Sequence, residues 1–405
     1  MTIGLAEKQI ILGVCGGIAA YKSVELLRLL KKNGAEVRVV MTENAARFVG
    51  PLTFQALSGN PVCLSLFEQT SDAAIRHIDW AEKADAAIIA PATANMIAKL
   101  AWGVADDALS TIMLARTCPA IVCPSMNTRM YESSAHQRNL VVLRGDGYTV
   151  IEPGAGELAC GTTGPGRLPE PSVIVDRLIH SLSPKDLAAC RVVVTAGPTR
   201  EPIDPVRFIS NPSTGKMGFA VAKAAEYRGA DVILITGPTM LPDPINVTVV
   251  RVQTALDMAE AVFSHMDDAH VIIKTAAVSD FRPKHTSSHK IKKEEDSLLI
   301  ALEANPDILK EAGRRKKHHV LVGFAAETQD LERYAGKKLE EKNLDIIVGN
   351  LVDHPDFGFG SDRNKVTFFF KDGTKEPLPA MTKDAVAHVL LDRIVSMMVQ
   401  AGGGR

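Results

Sequence analysis

The sequence predicts an α/β chain of two domains, each built on a parallel β-sheet, and three observations carry that prediction. Residues 10–41 read as strand, glycine turn, helix and strand. A second run of the same kind starts at Arg191. The chain has 405 residues, which suits two domains at about 100–200 residues each.

Taken in order, Ile10–Val14 is a short apolar run that ends at Cys15-Gly16-Gly17. Tyr21–Lys32 sets Val24, Leu26, Leu27, Leu29 and Leu30 among charged residues, the pattern of an amphipathic helix. Asn33-Gly34 stops that helix, and Glu36–Met41 is the next strand. Such a start implies parallel pairing through a right-handed crossover. Ala84–Ala90 predicts a further buried strand that runs into Pro91-Ala-Thr-Ala-Asn95, and Ala120–Cys123 another that runs into Pro124-Ser-Met-Asn127. These turns fall at the carboxyl edge of the sheet, where open α/β sheets bind ligands.

Ser181–Lys185 is a polar, proline-containing break, so the boundary is expected between residues 181 and 190. Beyond it Arg191–Thr195 predicts a strand that ends in Ala196-Gly197-Pro198, Gly218–Tyr227 a helix, and Asp231–Thr236 the next strand. Both halves contain a similar phrase, Gly34-Ala-Glu-Val37 and Gly229-Ala-Asp-Val232, each after a helix and opening a strand. Yet 24 positions separate Ile10 from Gly34, and 37 separate Val192 from Gly229. The extra residues fall in Thr199–Ser213, a loop holding Pro202, Pro205 and Pro212 with Arg200, Arg207 and Asn211. A long insertion at a sheet edge points to function. The tail Gly402–Arg405 is expected to fray.

Composition narrows the classes. Hydrophobic residues at 46% and charged residues at 23% give an ordinary globular core. Lys plus Arg number 46 against 47 Asp plus Glu, which excludes a uniformly basic surface of the nucleic-acid-binding kind. Six cysteines with no CxxC pair suggest neither a disulfide framework nor a zinc site. Reduced thiols in a cytoplasmic protein are expected. Neither a signal peptide nor a membrane span is expected, because no long uninterrupted apolar run occurs.

Several residues carry candidate chemistry. Gly16-Gly17, between strand and helix, is either a plain tight turn or the place where backbone approaches a phosphate. Thr42, Thr93 and Asn95 add hydroxyl and amide groups at the same edge. His77, before Ile78-Asp79-Trp80, reads on its own as structural or exposed, and Asn127 as a turn cap. Cys160 lies in the Gly- and Thr-rich run 159–167, which suggests a flap bringing a thiol to bound substrate. In the second half Ser213-Thr-Gly-Lys-Met-Gly218 opens a helix without the glycine spacing of a P-loop. Lys274–Lys293 is the most charged stretch. Its residues alone leave open a solvated basic surface, a nucleic-acid patch, or a lysine loop closing over a triphosphate. Arg314–His319 reads as a solvated helix end.

Gly16–Lys22, His77–Trp80, Pro91–Asn95, Pro124–Met130 and Leu158–Gly161 together resemble the homo-oligomeric flavin-containing cysteine decarboxylases. The resemblance implies FMN at the edge of a flavodoxin-like sheet, held by Gly16, Gly17, Ile18, Thr42, Thr93 and Asn95. It implies His77 as catalytic histidine, Asn127 on the substrate carboxylate, and Cys160 as the residue that protonates or reduces the ene-thiol intermediate. Tyr131 stands where that family usually has Trp, which keeps an aromatic side chain.

Ser210–Gly218, Ala276–Asp280, Lys290–Lys293, Asn305–Ile308 and Gly323–Thr328 resemble phosphopantothenate–cysteine ligases, which activate a carboxylate with CTP as an acyl cytidylate. That resemblance implies Asn211 and Arg207 on the acyl cytidylate and Lys290 as a mobile catalytic lysine. The CTP residues would be Lys274, Thr275, Ala276, Asp280, Lys290, Asn305, Pro306, Asp307, Ile308, Phe324, Lys338 and Lys342. Mg²⁺ is expected with the triphosphate.

In that order the two resemblances span nearly the whole chain, as in the bifunctional enzymes of coenzyme A biosynthesis. They imply an α/β fold of two domains. Residues 1–183 would be an FMN-binding flavodoxin-like parallel sheet, and 184–405 a Rossmann-like parallel or mixed sheet. They also imply a homo-oligomer, trimeric through the first domain and dimeric through the second. The alternatives are a flavoprotein regulator without catalysis and a dinucleotide-dependent oxidoreductase. The absence of GxGxxG after either first strand disfavours the latter.

Overall fold

The computed structural model describes residues 4–66, 73–158, 161–292, 298–327, 331–351 and 360–402, with the backbone alone at 73–77, 326–327, 331, 351 and 401–402. The chain divides into two compact units, Met1–Ser183 and Pro184–Arg405.

In the first unit β1 (Gln9–Val14), β2 (Glu36–Met41), β3 (Ala86–Ala92), β4 (Ala120–Pro124) and β5 (Tyr148–Val150) form a parallel sheet in the order β2-β1-β3-β4-β5. This is the flavodoxin-like order, whose switch point lies between β1 and β3. Around it run α1 (Ala20–Lys32), α2 (Glu43–Phe48), α3 (Pro51–Ser58), α4 (Ala73–Lys83), α5 (Ala94–Trp102), α6 (Ala108–Ala115), α7 (Thr128–Glu132), α8 (Ser134–Gly145) and α9 (Pro171–Leu182). Leu26 of α1, Phe54 of α3 and Ile174 of α9 pack on one face of the sheet. Trp80, Ile97, Ile112 and Leu140 of α4, α5, α6 and α8 pack on the other. An antiparallel hairpin, β6 (Gly154–Glu157) and β7 (Thr163–Arg167), follows β5.

The second unit begins with β8 (Arg191–Ala196), the hairpin β9 (Arg200–Pro202) and β10 (Phe208–Ser210), α10 (Lys216–Tyr227), β11 (Asp231–Thr236), β12 (Thr248–Arg251), α11 (Ala255–Met266) and β13 (Val271–Lys274). A second hairpin, β14 (Phe281–Pro283) and β15 (Leu302–Ala304), precedes α12 (Ile308–Arg314), β16 (Val320–Glu327), α13 (Leu331–Glu341) and β17 (Ile346–Leu351). The chain closes with β18 (Arg363–Asn364), β19 (Val366–Phe370), β20 (Lys375–Pro377), β21 (Met381–Thr382) and α14 (Lys383–Gly402). The main sheet has the order β12-β11-β8-β13-β16-β17-β19-β20. It is parallel through β17 and antiparallel beyond. The parallel part is Rossmann-like, and its order reverses between β8 and β13. Helices α10 and α14 cover one face, and α11, α12 and α13 the other.

The phrase common to both halves has a physical cause. Gly34 and Gly229 each take φ +87° at the end of a helix. The next amide reaches five residues back in both cases: Ala35 to the Leu30 carbonyl and Ala230 to the Ala225 carbonyl, each at 3.1 Å. This left-handed glycine cap stops the helix and feeds the next strand.

Other expectations need correcting. β3 starts at Ala86 rather than Ala84, because the Asp85 carboxylate is taken up by Lys8 Nζ and the Gln9 amide, both at 2.8 Å. α10 starts two residues earlier than predicted, with Gly215 at φ +78° as its cap. The insertion Thr199–Ser213 folds into the β9–β10 hairpin. Arg314 is exposed, but His319 is not part of a solvated helix end. It is buried at the start of β16, its Nδ1 3.0 Å from the Ala269 carbonyl. The tail beyond Gly402 lies outside the described residues. Among the described residues no helix is long and apolar enough to cross a membrane.

Candidate active sites

In the first unit four turns line up along the carboxyl edge in sheet order. The Thr42 amide bonds the Val14 carbonyl at 3.1 Å, Cys15 bonds Pro91 at 3.2 Å, and Ser125 bonds Ala92 at 3.0 Å. Thr42, Thr93 and Asn127 each cap the helix that follows, accepting from the amides of Ala45, Met96 and Arg129. Capping fixes these side chains at the edge. Gly16 is required by packing, since a Cβ there would lie 2.4 Å from Asn44 Cβ. Gly17 instead faces open space, with Thr93 Cγ2, 3.9 Å away, the nearest atom to such a Cβ. The first turn of α1 beside it has no side-chain cap, although the Ala20 and Lys22 amides donate to the Gly17 and Ala19 carbonyls at 2.9 and 3.0 Å. Ile18 is 63% exposed, and Asn95 is exposed beside the same turns. An uncapped helix start, an open glycine and a rim of polar side chains fit a phosphorylated flat cofactor.

The β6–β7 hairpin is seated on the Asn127 turn through two glycines. A Cβ on Gly166, at φ +146°, would lie 2.1 Å from the Met126 carbonyl oxygen, and one on Gly164 would lie 2.7 Å from Thr128 Cγ2. The Met126 amide bonds the Gly166 carbonyl at 3.0 Å. The hairpin connection runs through 158–162, and its predicted thiol, Cys160, lies outside the described residues. So does the side chain of His77, whose backbone lies in α4 one turn before Trp80 and Ala81. Burial pushes the Cys15 thiol up to about 12 and raises Cys118, Cys123 and Cys190 as well, so none of these four is a thiolate at neutral pH. Tyr131 is buried against His136, and its hydroxyl donates to Glu152.

In the second unit a cavity of about 400 Å³ opens at the switch point. The start of α10, the ends of β13 and β16, and Asn211 line it. Gly218 lets α10 approach closely, because a Cβ there would lie 2.5 Å from both Ala196 Cβ and Thr275 Oγ1. Of the predicted residues, Asn211, Lys274, Thr275, Ala276 and Phe324 face this cavity. Thr275 Oγ1 donates to the Thr195 carbonyl at 2.6 Å, and the Ala276 amide bonds Thr195 Oγ1 at 3.2 Å, which fixes the floor. Asn211 Nδ2 donates to the Val278 carbonyl at 3.0 Å.

Lys274 is half-buried at the end of β13. Burial and the nearby Lys342 and Lys338 ammonium groups outweigh Asp307 and Asp280 and bring it down to about 8. Burial opposes ionisation of Asp307, but Lys342, 2.7 Å away, more than offsets this and holds its carboxyl below the usual range. Asp307 also caps α12 through the Lys310 amide, which places Pro306 and Ile308 at that helix start. Asn305 ties the loop together. Its Nδ2 donates to the Ser279 carbonyl, its amide to the Asp280 carbonyl, and its Oδ1 accepts from Arg282. Asp307 and Lys342 line a second hollow, of about 790 Å³.

Nine predicted residues do not line this cavity: Arg207, Asp280, Lys290, Asn305, Pro306, Asp307, Ile308, Lys338 and Lys342. The Lys290 side chain is exposed, and the Arg207 guanidinium is engaged by Asp204 and the Ile291 carbonyl. Sequence reasoning missed Lys216, Lys383, Asn350 and Asn364, which line the same cavity. The Oδ1 atoms of both asparagines are buried without a hydrogen-bond partner. The Lys216 signal was present in the motif opening α10. Asn350, Asn364 and Lys383 come from the last quarter of the chain, where no local pattern marks them. Among the described residues no cluster of three His, Cys, Asp or Glu could hold a metal ion.

Residues 4–183 match the family described as Flavoprotein, and residues 187–398 that described as DNA/pantothenate metabolism flavoprotein C-terminal domain. The chain is 51% identical over 402 residues to the coenzyme A biosynthesis bifunctional protein CoaBC of Bacillus subtilis (strain 168), covering 98% of this chain and 99% of that one. It is 48% identical over 399 residues to the protein of the same name from Escherichia coli (strain K12), covering 97% and 98%. The solved C-terminal domain of a CoaBC protein is 46% identical, covers 53% of this chain and 99% of its own, and superposes with a TM-score of 0.47.

Proposed function

The chain belongs to the coenzyme A biosynthesis bifunctional protein family, and from that premise we propose that residues 1–183 are an FMN-dependent decarboxylase and residues 184–405 a CTP-dependent ligase. The enzyme has both activities, ligase and decarboxylase, in coenzyme A biosynthesis. The observation that carries the division of labour is that each unit has its own sheet with its own switch point.

In the second unit the 4′-phosphopantothenate carboxylate attacks the α-phosphorus of CTP. Pyrophosphate leaves, and an acyl cytidylate forms. Cysteine's amine then attacks the acyl carbon and CMP departs. The start of α10, Lys216 and Lys274 supply positive potential for the triphosphate. Lys290 would neutralise charge at transfer, while Asn211 and Arg207 hold the acyl group. Asp280, Asn305, Pro306, Asp307, Ile308, Phe324, Lys338 and Lys342 complete the nucleotide side. Mg²⁺ would arrive on the phosphates, since the described residues offer it no cage of their own.

In the first unit Gly16, Gly17, Ile18, Thr42, Thr93 and Asn95 would hold FMN. When bound, FMN accepts the electron pair that makes loss of carbon dioxide from the cysteinyl group feasible. Asn127 would hold the substrate carboxylate, His77 would move the proton, and Cys160 would deliver a proton to the ene-thiol while the electron pair taken up by the flavin returns to the same group, which gives 4′-phosphopantetheine. The reading places the enzyme in the cytoplasm as a homo-oligomer, acting on small molecules, with neither nucleic acid nor membrane as partner.

The test is a pair of variants. Cys160→Ser should keep pyrophosphate release, stall at the ene-thiol after no more than about one carbon dioxide per active site, and form no 4′-phosphopantetheine. Lys290→Gln should lower pyrophosphate release at least a hundredfold and still decarboxylate supplied phosphopantothenoyl-cysteine. Loss of both products in either variant, from folded protein, contradicts the assignment.

A further inference from the structure

The segment 284–292 leaves the β14–β15 hairpin, where the Lys284 amide bonds the Ala301 carbonyl at 2.9 Å, and lies across the β9–β10 hairpin. It is fastened at two points. The first is Thr286 and Ser287: the Thr286 hydroxyl donates to the Pro202 carbonyl at 3.1 Å, and the Ser287 amide to the Ile203 carbonyl at 3.0 Å. The second is Ile291, immediately after Lys290. Asp204 Oδ2 accepts the Ile291 amide at 3.1 Å and takes Arg207 Nε at 2.9 Å and Nη2 at 2.5 Å. The same Arg207 Nη2 donates to the Ile291 carbonyl at 2.9 Å. Both main-chain polar groups of Ile291 are therefore held by one ion pair. Asp204 itself is buried, and its Oδ1 accepts the amides of Val206 and Arg207, each at 2.8 Å.

We infer that Asp204 is a positioning residue for ligation, presenting Lys290 by clamping the main chain of Ile291 through Arg207. The inference rests on the reading of Lys290 as the lysine of the transfer step. The chemistry of the two carboxylate oxygens gives a sharp division. Oδ1 builds the local turn, as aspartate and asparagine do alike. Oδ2 faces donors only, and charge-assisted bonds of that kind are the strong ones. Five donors, three on Oδ2 and two on Oδ1, hold the Asp204 carboxyl far below the usual carboxylate range, with Arg207 the largest cause. Asp204→Asn keeps Oδ1 and turns Oδ2 into an N–H₂ group facing the Ile291 N–H and the Arg207 guanidinium. The turn survives and the clamp is lost.

The experiment uses the intact chain and three variants: Asp204→Asn, Lys290→Gln and the double. Amide exchange over the peptide containing Ile291, and the kcat and KM of ligation, are measured for each. Asp204→Asn should speed exchange over that peptide at least tenfold and lower kcat at least tenfold. Exchange over β8 and β13 should stay as in the parent, as should decarboxylation of supplied phosphopantothenoyl-cysteine. On the Lys290→Gln background Asp204→Asn should cost nothing further. Unchanged exchange at Ile291 overturns the clamp. A kcat loss that persists in full on the Lys290→Gln background overturns the positioning role, because Asp204 would then act without Lys290. A Lys290→Gln enzyme with the parent's ligation rate overturns the reading beneath, and the exchange result separates that failure from failure of the clamp.

Discussion

Lys274 should be a residue whose removal stabilises the protein while impairing it. Its ordinary value is 10.5, and the fold brings it to about 8. Because the folded value is the lower one, the charged form is penalised at every pH below about 8. That penalty fades as pH rises from about 8 toward 10.5, where the unfolded chain also loses the proton. The gap corresponds to a cost of about 3 kcal/mol at pH 7 and about half of that at pH 9.5. Lys274→Met keeps the aliphatic stem and deletes the charge. It should raise the opening free energy of β8, β13 and β16, read by amide exchange in the intact chain, by up to about 3 kcal/mol at pH 7. The advantage should shrink by about half at pH 9.5. Loss of a charge-assisted contact worth about 1.5–3 kcal/mol should raise the KM for CTP by about ten- to a hundredfold. In the parent enzyme that KM should itself rise above pH 8, since the triphosphate binds best to the protonated amine. A variant no more stable than the parent at pH 7, or one with an unaltered KM for CTP, would refute the reasoning.

Further outcomes follow from close approaches. Gly16→Ala drives a Cβ into Asn44 and should destabilise the first unit by about 1–3 kcal/mol, read by thermal unfolding. Gly17→Ala meets nothing closer than 3.9 Å and should fold normally while losing flavin absorbance. Gly166→Ala, set against the Met126 carbonyl, should lift the β6–β7 hairpin from the Asn127 turn. Carbon dioxide release should fall at least tenfold while pyrophosphate release holds. Arg228 is buried between Asp186 and Asp392 at 2.5 and 2.7 Å, so Arg228→Met leaves two carboxylates unpaired and should destabilise the second unit by about 3 kcal/mol in urea unfolding.

What was legible in the sequence was local. The βαβ starts, the glycine-capped helices before Glu36 and Asp231, and the turns at Gly16, Thr93 and Asn127 are written in contiguous residues whose spacing has one physical reading. The insertion Thr199–Ser213 stood out by length, but not as a hairpin, because its strands have three residues each. The pairing of Phe281–Pro283 with Leu302–Ala304 spans a charged stretch that carries no strand period. Asp204 passed unnoticed as one acid in a proline-rich loop, since the main-chain group it holds with Arg207 lies 87 residues away at Ile291. Lys383 and Asn364 reach the cavity only because the separate β18–β21 pair sets them beside the start of α10, which no local periodicity records.

The central claim is that one chain carries two chemistries in sequence, ligation in the second unit and decarboxylation in the first. Its most direct test supplies purified protein with 4′-phosphopantothenate, cysteine, CTP and Mg²⁺ and follows pyrophosphate and carbon dioxide in one vessel, with the visible spectrum recorded. The account predicts a bound-flavin spectrum, pyrophosphate first, and carbon dioxide following a lag and rising to one per pyrophosphate. Pyrophosphate without carbon dioxide from flavin-loaded protein, or neither product, would contradict it.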